Sequence, residues 1–290
     1  MMCRFALCAT LALAASSLSA QGYRIDITRS IRWDSLRLEA SSTLDLASAG
    51  LRLPTGRSQA EEIADMEFPR LVQPTLLALP VDSSATVEDL IGSGGLTLAD
   101  VATAVASARR SAPVLSPDLG TLSVAYSIDL HALSARLVRH RRAAEPQRTL
   151  EGRATRPYTG IVIYADDPLA LHGRQIVSRA NACFFPKIWD SDMNLVYERN
   201  MVEPGIAAAR GIVRYASSRE AAESGPDIAA LVGPAPLRIL ARGLFGTRAT
   251  DPIIDRDDAL KITSSEENRR LLREGRVMLV LSEEALRALP

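Results

Sequence analysis

The run Ile161-Val162-Ile163-Tyr164, closed by Ala165-Asp166-Asp167-Pro168, constrains the fold of this chain more than any other stretch. Side chains alternate across a strand, so Ile161 and Ile163 share one face and Val162 and Tyr164 the other. Both faces are apolar, which predicts a strand covered from both sides rather than one half open to water. Pro168 cannot continue a hydrogen-bonded ladder, so the acidic pair is expected to mark the exit into the loop that follows.

The same residues raise a catalytic reading, because Tyr-x-Asp-Asp after an apolar run is the metal-holding turn of reverse transcriptases. That chemistry needs another carboxylate on a neighbouring strand and a basic channel for the template. The chain has 34 basic and 34 acidic residues and no net charge, so nothing global draws it to nucleic acid or to an anionic membrane. A four-residue match of this kind arises by chance. The reading retained is a strand end whose carboxylates face solvent.

With 290 residues and 47% hydrophobic content, the chain can build one large core or two ordinary ones. Lys187 and Lys261 are its two lysines, and the other basic residues are arginines. Residues 1–20 read as a cleaved export signal: Met-Met-Cys-Arg, an apolar stretch, then Ser-Leu-Ser-Ala. Cys3 and Cys8 lie too early to carry a lipid, and position 21 is Gln. The expected location is therefore the periplasm, without a lipid anchor or a later membrane span. Once the leader is removed Cys183 stands alone, so no internal disulfide is expected.

Beyond the leader, residues 23–46 alternate in two short runs and suggest strands. Residues 51–79 turn to helical spacing, with Ser58 and Glu61 placed as a capping box and Ile63, Met66, Leu71 and Leu76 on one face. Pro69 and Pro74 predict a kinked or broken helix there. Thr97 is expected to cap a second helix after the Gly92–Gly95 hinge, and an alternating strand begins at Thr121. Val138 to Pro157 is polar and aperiodic, the best linker candidate, with an ordered surface crossing as the alternative. Short strands with turn chemistry follow, including a hairpin whose turn is Asp190-Ser191-Asp192-Met193. A helix is expected within residues 256–275, and Arg276–Leu281 is the closing strand.

Catalytic constellations are sparse. A Cys183/His172 pair is conceivable, but Cys183 lies in Ala-Cys-Phe-Phe-Pro, where a cysteine acts as a small hydrophobe. His131 and His140 complete the histidines. Asp190, Asp192 and Asn194 resemble the start of a calcium loop but lack its glycine and distal glutamate. Gly92–Gly95 lacks the Lys-Ser/Thr of a phosphate loop. The local basic run, Arg136, Arg139, Arg141 and Arg142, is read as a solvated face, with an acidic protein partner as the second choice.

From Thr159 onwards a Thr-Gly strand, a Pro-x-Ile hairpin ending in Val196-Tyr197, a Gly-x-x-x-Tyr-Ala segment at Gly211–Ala216, a Gly-x-x-Pro strand and a closing Arg-Val strand occur in order. Over residues 158–281 this resembles the FlgP-type and FlgT-type accessory components around the flagellar basal body, and related small outer-membrane lipoproteins. The first half resembles them more loosely. Tyr164 to Asp167 replaces the Asp-Ala-Arg-Gly usual there, and the expected lipid anchor is missing. The resemblance implies a structural role and supplies no catalytic residues.

The sequence thus predicts an α+β protein: a signal peptide over 1–20, a helix-and-strand module over 21–145, a linker over 146–157, and over 158–290 a β-rich module of short strands with one or two helices. The expected function is that of a non-catalytic periplasmic assembly protein without a cofactor, binding protein partners in the envelope or itself and associated with the flagellar motor. The rival is a periplasmic hydrolase built on Asp166, Asp167, Asp190 and Asp192. A module binding envelope glycans or lipids is a third class, without a positive sign in the sequence.

Overall fold

The computed structural model describes residues 22–146 and 151–289, with the backbone of 16–18. Apart from that short strand, the expected leader lies outside the described residues. The α+β class holds, in two domains.

The first domain is an antiparallel sheet with helices on one face. Its strands are β1 (Ser16–Leu18), β2 (Ile25–Arg32), β3 (Arg37–Asp45), β4 (Arg109–Arg110), β5 (Val114–Leu115) and β6 (Thr121–Asp129), in the order β1-β2-β3-β6-β4 with β5 also on β6. The β3–β6 ladder runs from Arg37 opposite Asp129 to Asp45 opposite Thr121. Ile27, Ile31, Leu38, Leu44, Leu122, Val124 and Ile128 alternate onto one face and are buried. The alternation read from the sequence therefore places the core correctly.

Four helices complete this domain: α1 (Arg57–Ala78), α2 (Val87–Gly92), α3 (Leu98–Ala106) and α4 (His131–Arg136). The helix α1 corrects the expected break, the expected cap and one position of the expected buried face. It is one 22-residue helix that contains both Pro69 and Pro74, and its N-cap is Gly56, with no side-chain cap bond. Its start is set instead by the backbone turn before it, where Gly56 N–H donates to the Arg52 carbonyl. Met66 is 63% exposed rather than part of the buried face, while Ile63, Leu71 and Leu76 are buried as expected. Thr97 caps α3 in a reciprocal box with Asp100, and the Gly92–Gly95 stretch turns the chain between α2 and α3.

The second domain holds β7 (Ile161–Tyr164), β8 (Leu169–Ala170), β9 (Val177–Ser178), β10 (Ile188–Asp190), β11 (Leu195–Tyr197), α5 (Pro204–Arg210), β12 (Arg214–Ala216), α6 (Ser218–Glu223), α7 (Pro226–Val232), β13 (Leu237–Leu240), β14 (Gly243–Phe245), β15 (Asp251–Ile254), α8 (Arg256–Thr263), α9 (Glu266–Arg273), β16 (Val277–Val280) and α10 (Glu283–Arg287). A parallel sheet runs β12-β16-β7-β13, and a mixed one runs β11-β10-β15-β14. The strand β7 lies between β16 and β13, parallel to both. Ile161 and Ile163 join the main core, while Val162 packs with Ile228, Val232, Met278 and Val280 in a second cluster under α7. The two-sided burial expected of this run is what the fold contains. This domain has six short helices among the described residues, more than the one or two discerned from sequence, because helices of five to eight residues show little helical period.

Residues 138–146 and 151–160 carry no helix or strand, yet the domains are tightly joined. Trp33, in the β2–β3 turn, donates its backbone N–H to the Leu286 carbonyl (3.2 Å) and sets its ring edge-on to Phe184 (5.6 Å) and Tyr215 (6.3 Å). Phe184 and Phe185 donate their backbone N–H groups to Pro80 and Val81. Asp34 is buried between Arg32 (3.2 Å) and Arg287 (3.0 Å). Burial pushes its carboxyl up, but the bond to Arg32 and the charge of Arg287 outweigh this and hold it below the usual range. One apolar cluster runs through both domains.

Candidate functional site

The carboxylates nominated from sequence are spent separately. Asp166 follows β7 and accepts a hydrogen bond from the Ser218 hydroxyl, while Asp167 is exposed. Asp190 is buried and accepts from the backbone N–H groups of Asp192 (3.0 Å) and Asn194 (2.7 Å) and from the Asn194 amide (2.9 Å). It is the organiser of the β10–β11 turn, as the hairpin reading expected. Asp192 pairs with Arg256. Among the described residues no three His, Cys, Asp or Glu side chains gather as a metal site.

Cys183 is wholly buried, and burial together with the nearby Asp251 pushes its thiol up. The Tyr215 hydroxyl bridges its backbone, accepting from Cys183 N–H (3.1 Å) and donating to the Cys183 carbonyl (2.9 Å). His172 is exposed and rests on Phe245. Of the basic run, Arg136 approaches Asp100 at 3.8 Å and Arg139 donates to the Gly95 carbonyl. Arg141 and Arg142 are exposed.

Two features escaped the sequence. The first is Asp251, fully buried at the start of β15. It accepts from Lys187 N–H (3.1 Å), from the Thr250 hydroxyl (3.0 Å) and, more distantly, from the Trp189 indole (3.5 Å). Burial raises its carboxyl above the ordinary value against those bonds and one from Ser83.

The second is a groove of about 590 Å3 between α1 and α3, floored by β6. Its walls are largely apolar, with Phe68, Leu98, Val101, Val105 and Tyr126 contributing. Phe68 stacks on Tyr126, ring centroids 3.8 Å apart and planes 14° off parallel. At one corner Asp65 accepts from the Tyr126 hydroxyl (2.7 Å) and from Arg110 Nε (2.9 Å). Arg110 also donates to Glu61 (3.0 Å), which accepts from Arg57 (3.1 Å). Burial and the Asp65 carboxylate push the Tyr126 hydroxyl up, so it stays a donor. The bonds from Arg110 and Arg57 hold Glu61 below its usual value. The polar groups of the corner satisfy one another, which leaves an apolar trough with a closed electrostatic account. No short motif marks it, because its walls come from segments far apart in the chain.

No helix among the described residues is long and apolar enough to cross a membrane. No curated protein matches the chain. The family model described as Treponema pallidum Tp0624, N-terminal domain, matches residues 24–136, and the one described as Treponema pallidum Tp0624, second domain, matches residues 160–283. The matched stretches coincide with the two domains of the fold and stand in the same order, so the chain is similar in both halves to consecutive domains of one Treponema protein, for which neither description names an activity.

Proposed function

We propose that this protein is a non-catalytic, exported assembly component of the bacterial envelope, and that it docks an apolar helical segment of a protein partner in the groove between α1 and α3. The observation that carries the reading is the groove itself: apolar walls beside carboxylates already engaged by Arg110 and Tyr126. A charged occupant would be desolvated there without a free counter-charge, whereas aliphatic side chains would gain roughly 25 cal/mol for each Å2 they bury.

The apolar lip extends beyond the trough. Met66 stands at helical spacing from Pro69 and Gln73, which line it, and Leu98 on the opposite wall is 54% exposed. A surface continuing outward on two flanking helices suits a helix laid between them better than a small enclosed ligand. The leader-like residues 1–20 support export, and the resemblance to FlgP-type and FlgT-type components makes the flagellar basal body the first assembly to examine.

The test is photo-crosslinking in intact cells from position 102, on the groove wall, against position 52 on the exposed surface. The expected product links position 102 to an apolar, helix-forming segment of one envelope protein and disappears in Leu98→Asp. The same products from both positions, or products indifferent to Leu98→Asp, overturn the proposal.

A further inference from the structure

A second cleft, of about 270 Å3, lies between the domains, walled by the β2–β3 turn on one side and by residues of α5, β12 and α7 on the other. Three arginines line it: Arg37 from the first domain and Arg210 and Arg214 from the second. Arginines elsewhere in the molecule are widely matched to carboxylates, as Arg110 is to Glu61 and Asp65 and Arg256 to Glu151 and Asp192. Here the matching stops. The side chains of Arg37 and Arg214 make no hydrogen bond or ion pair with the chain among the described residues. Asp129 feels the charge of Arg37 across the sheet but bonds to His131. Arg210 gives a donor to the Glu274 carbonyl, which leaves its charge unopposed.

Two carboxylates also line the cleft, Asp34 and Asp227. Asp34 is already held by Arg32 and Arg287, both outside the lining, and by the Ser35 hydroxyl (3.1 Å). Asp227 is therefore the one lining carboxylate without a cation, against three arginines that line the same cleft. Like charges brought together at a domain junction repel unless an anion joins them, and the low-polarity wall formed by Tyr215, Val213 and Leu231 strengthens that demand.

From this convergence we propose that the interdomain cleft is a binding site for a compact phosphate-bearing anion. Planar guanidinium forks match the paired oxygens of a phosphate group, and several forks around one tetrahedral dianion give both affinity and orientation. The volume is below the roughly 300 Å3 at which drug-sized pockets begin, so the ligand is a phosphate with a small organic body at most. The site is independent of the groove between α1 and α3. Because Arg37 stands on one domain and Arg210 and Arg214 on the other, the bound anion ties the domains together.

The experiment is calorimetric titration at low ionic strength with inorganic phosphate and with glycerol 3-phosphate, chloride serving as control, alongside co-sedimentation with phosphatidylglycerol vesicles. The variants are Arg37→Gln, Arg214→Gln and the double substitution, with Arg52→Gln as a surface control. Arg37 and Arg214 are exposed and unpaired, so these changes leave folding intact, and unchanged circular dichroism confirms it. Phosphate-ester binding that weakens at least tenfold in each single variant, and not in Arg52→Gln, supports the site. Vesicle binding lost in the same variants assigns the phosphate to a lipid headgroup, and solution binding alone assigns a soluble ester. Heat indistinguishable from chloride with no vesicle binding, or binding that survives in the double variant, overturns the proposal.

Discussion

Asp251 is completely enclosed, and its partners are neutral donors: a backbone N–H from Lys187, the hydroxyls of Ser83 and Thr250, and the Trp189 indole. Donors of this kind favour the carboxylate, yet desolvation outweighs them and its pKa is raised above 3.8. For a group whose folded pKa is raised, the linked stability is fully present below the unfolded value and is lost as pH rises through the folded one. Asp251→Asn removes this dependence. The wild type should therefore lose stability relative to Asp251→Asn as pH rises above the ordinary carboxylate value of about 4, read as the difference between their urea midpoints. A flat difference, or one of opposite slope, would show that the hydrogen bonds outweigh burial. Nothing in Asp251-Pro252-Ile253-Ile254 announces this residue, since its enclosure depends on Ser83 from the other domain. Asp190 was legible, because a carboxylate that binds the N–H groups of its own turn needs only its neighbours in sequence.

At the scale of the element, α1 shows why local rules misjudged a helix that packing sustains. Proline in a helix interior costs about 3 kcal/mol through the lost bond and the clash one turn back. Pro69 and Pro74 both lie on the exposed side, as do Asp65 and Arg70, whose carbonyls they leave without helical partners, so water can solvate those groups. The opposite side buries Phe68, Leu71, Val72 and Leu76, each contributing about 1.5–3 kcal/mol. Tertiary burial therefore outweighs the breakers. Leu76→Ala should cost about 2–5 kcal/mol. Pro74→Ala should raise stability by up to about 2 kcal/mol, the cost of an interior proline less the effect of a looser unfolded chain. Urea denaturation compares the two, and a loss in Pro74→Ala equal to that in Leu76→Ala would mean that the proline itself shapes the helix. The periodicity of Ile63, Leu71 and Leu76 could be read directly. The continuity of the helix could not, because it depends on a sheet that forms elsewhere in the chain.

For the whole molecule, the aperiodic stretch at residues 138–157 left a linker and an ordered surface crossing both open, and contacts elsewhere join the two domains into one body. Trp33 reaches from the first domain into the Phe184–Tyr215 cluster of the second, and Arg287 reaches back to Asp34. Gly246 shows how close the approach is: at φ +93°, a Cβ there would lie 2.3 Å from Cβ of Ser83. Sequence patterns report which residues are apolar and with what period, but not which distant surfaces meet. The two-sided cover of β7 was readable because both its faces are apolar, while nothing in the alternation around Trp33 shows that its ring enters the other domain. A shared core predicts one cooperative transition for both domains. Trp33 and Trp189 are the two tryptophans, so in Trp33→Ala the fluorescence reports the second domain alone while far-ultraviolet circular dichroism reports both. The wild type should unfold with the two signals superimposed. Trp33→Ala should lose about 3–5 kcal/mol and separate them, because the truncated side chain is the wedge that makes the two domains melt together. Two transitions in the wild type, or an unmoved midpoint in the variant, would mean that the domains fold independently and merely touch.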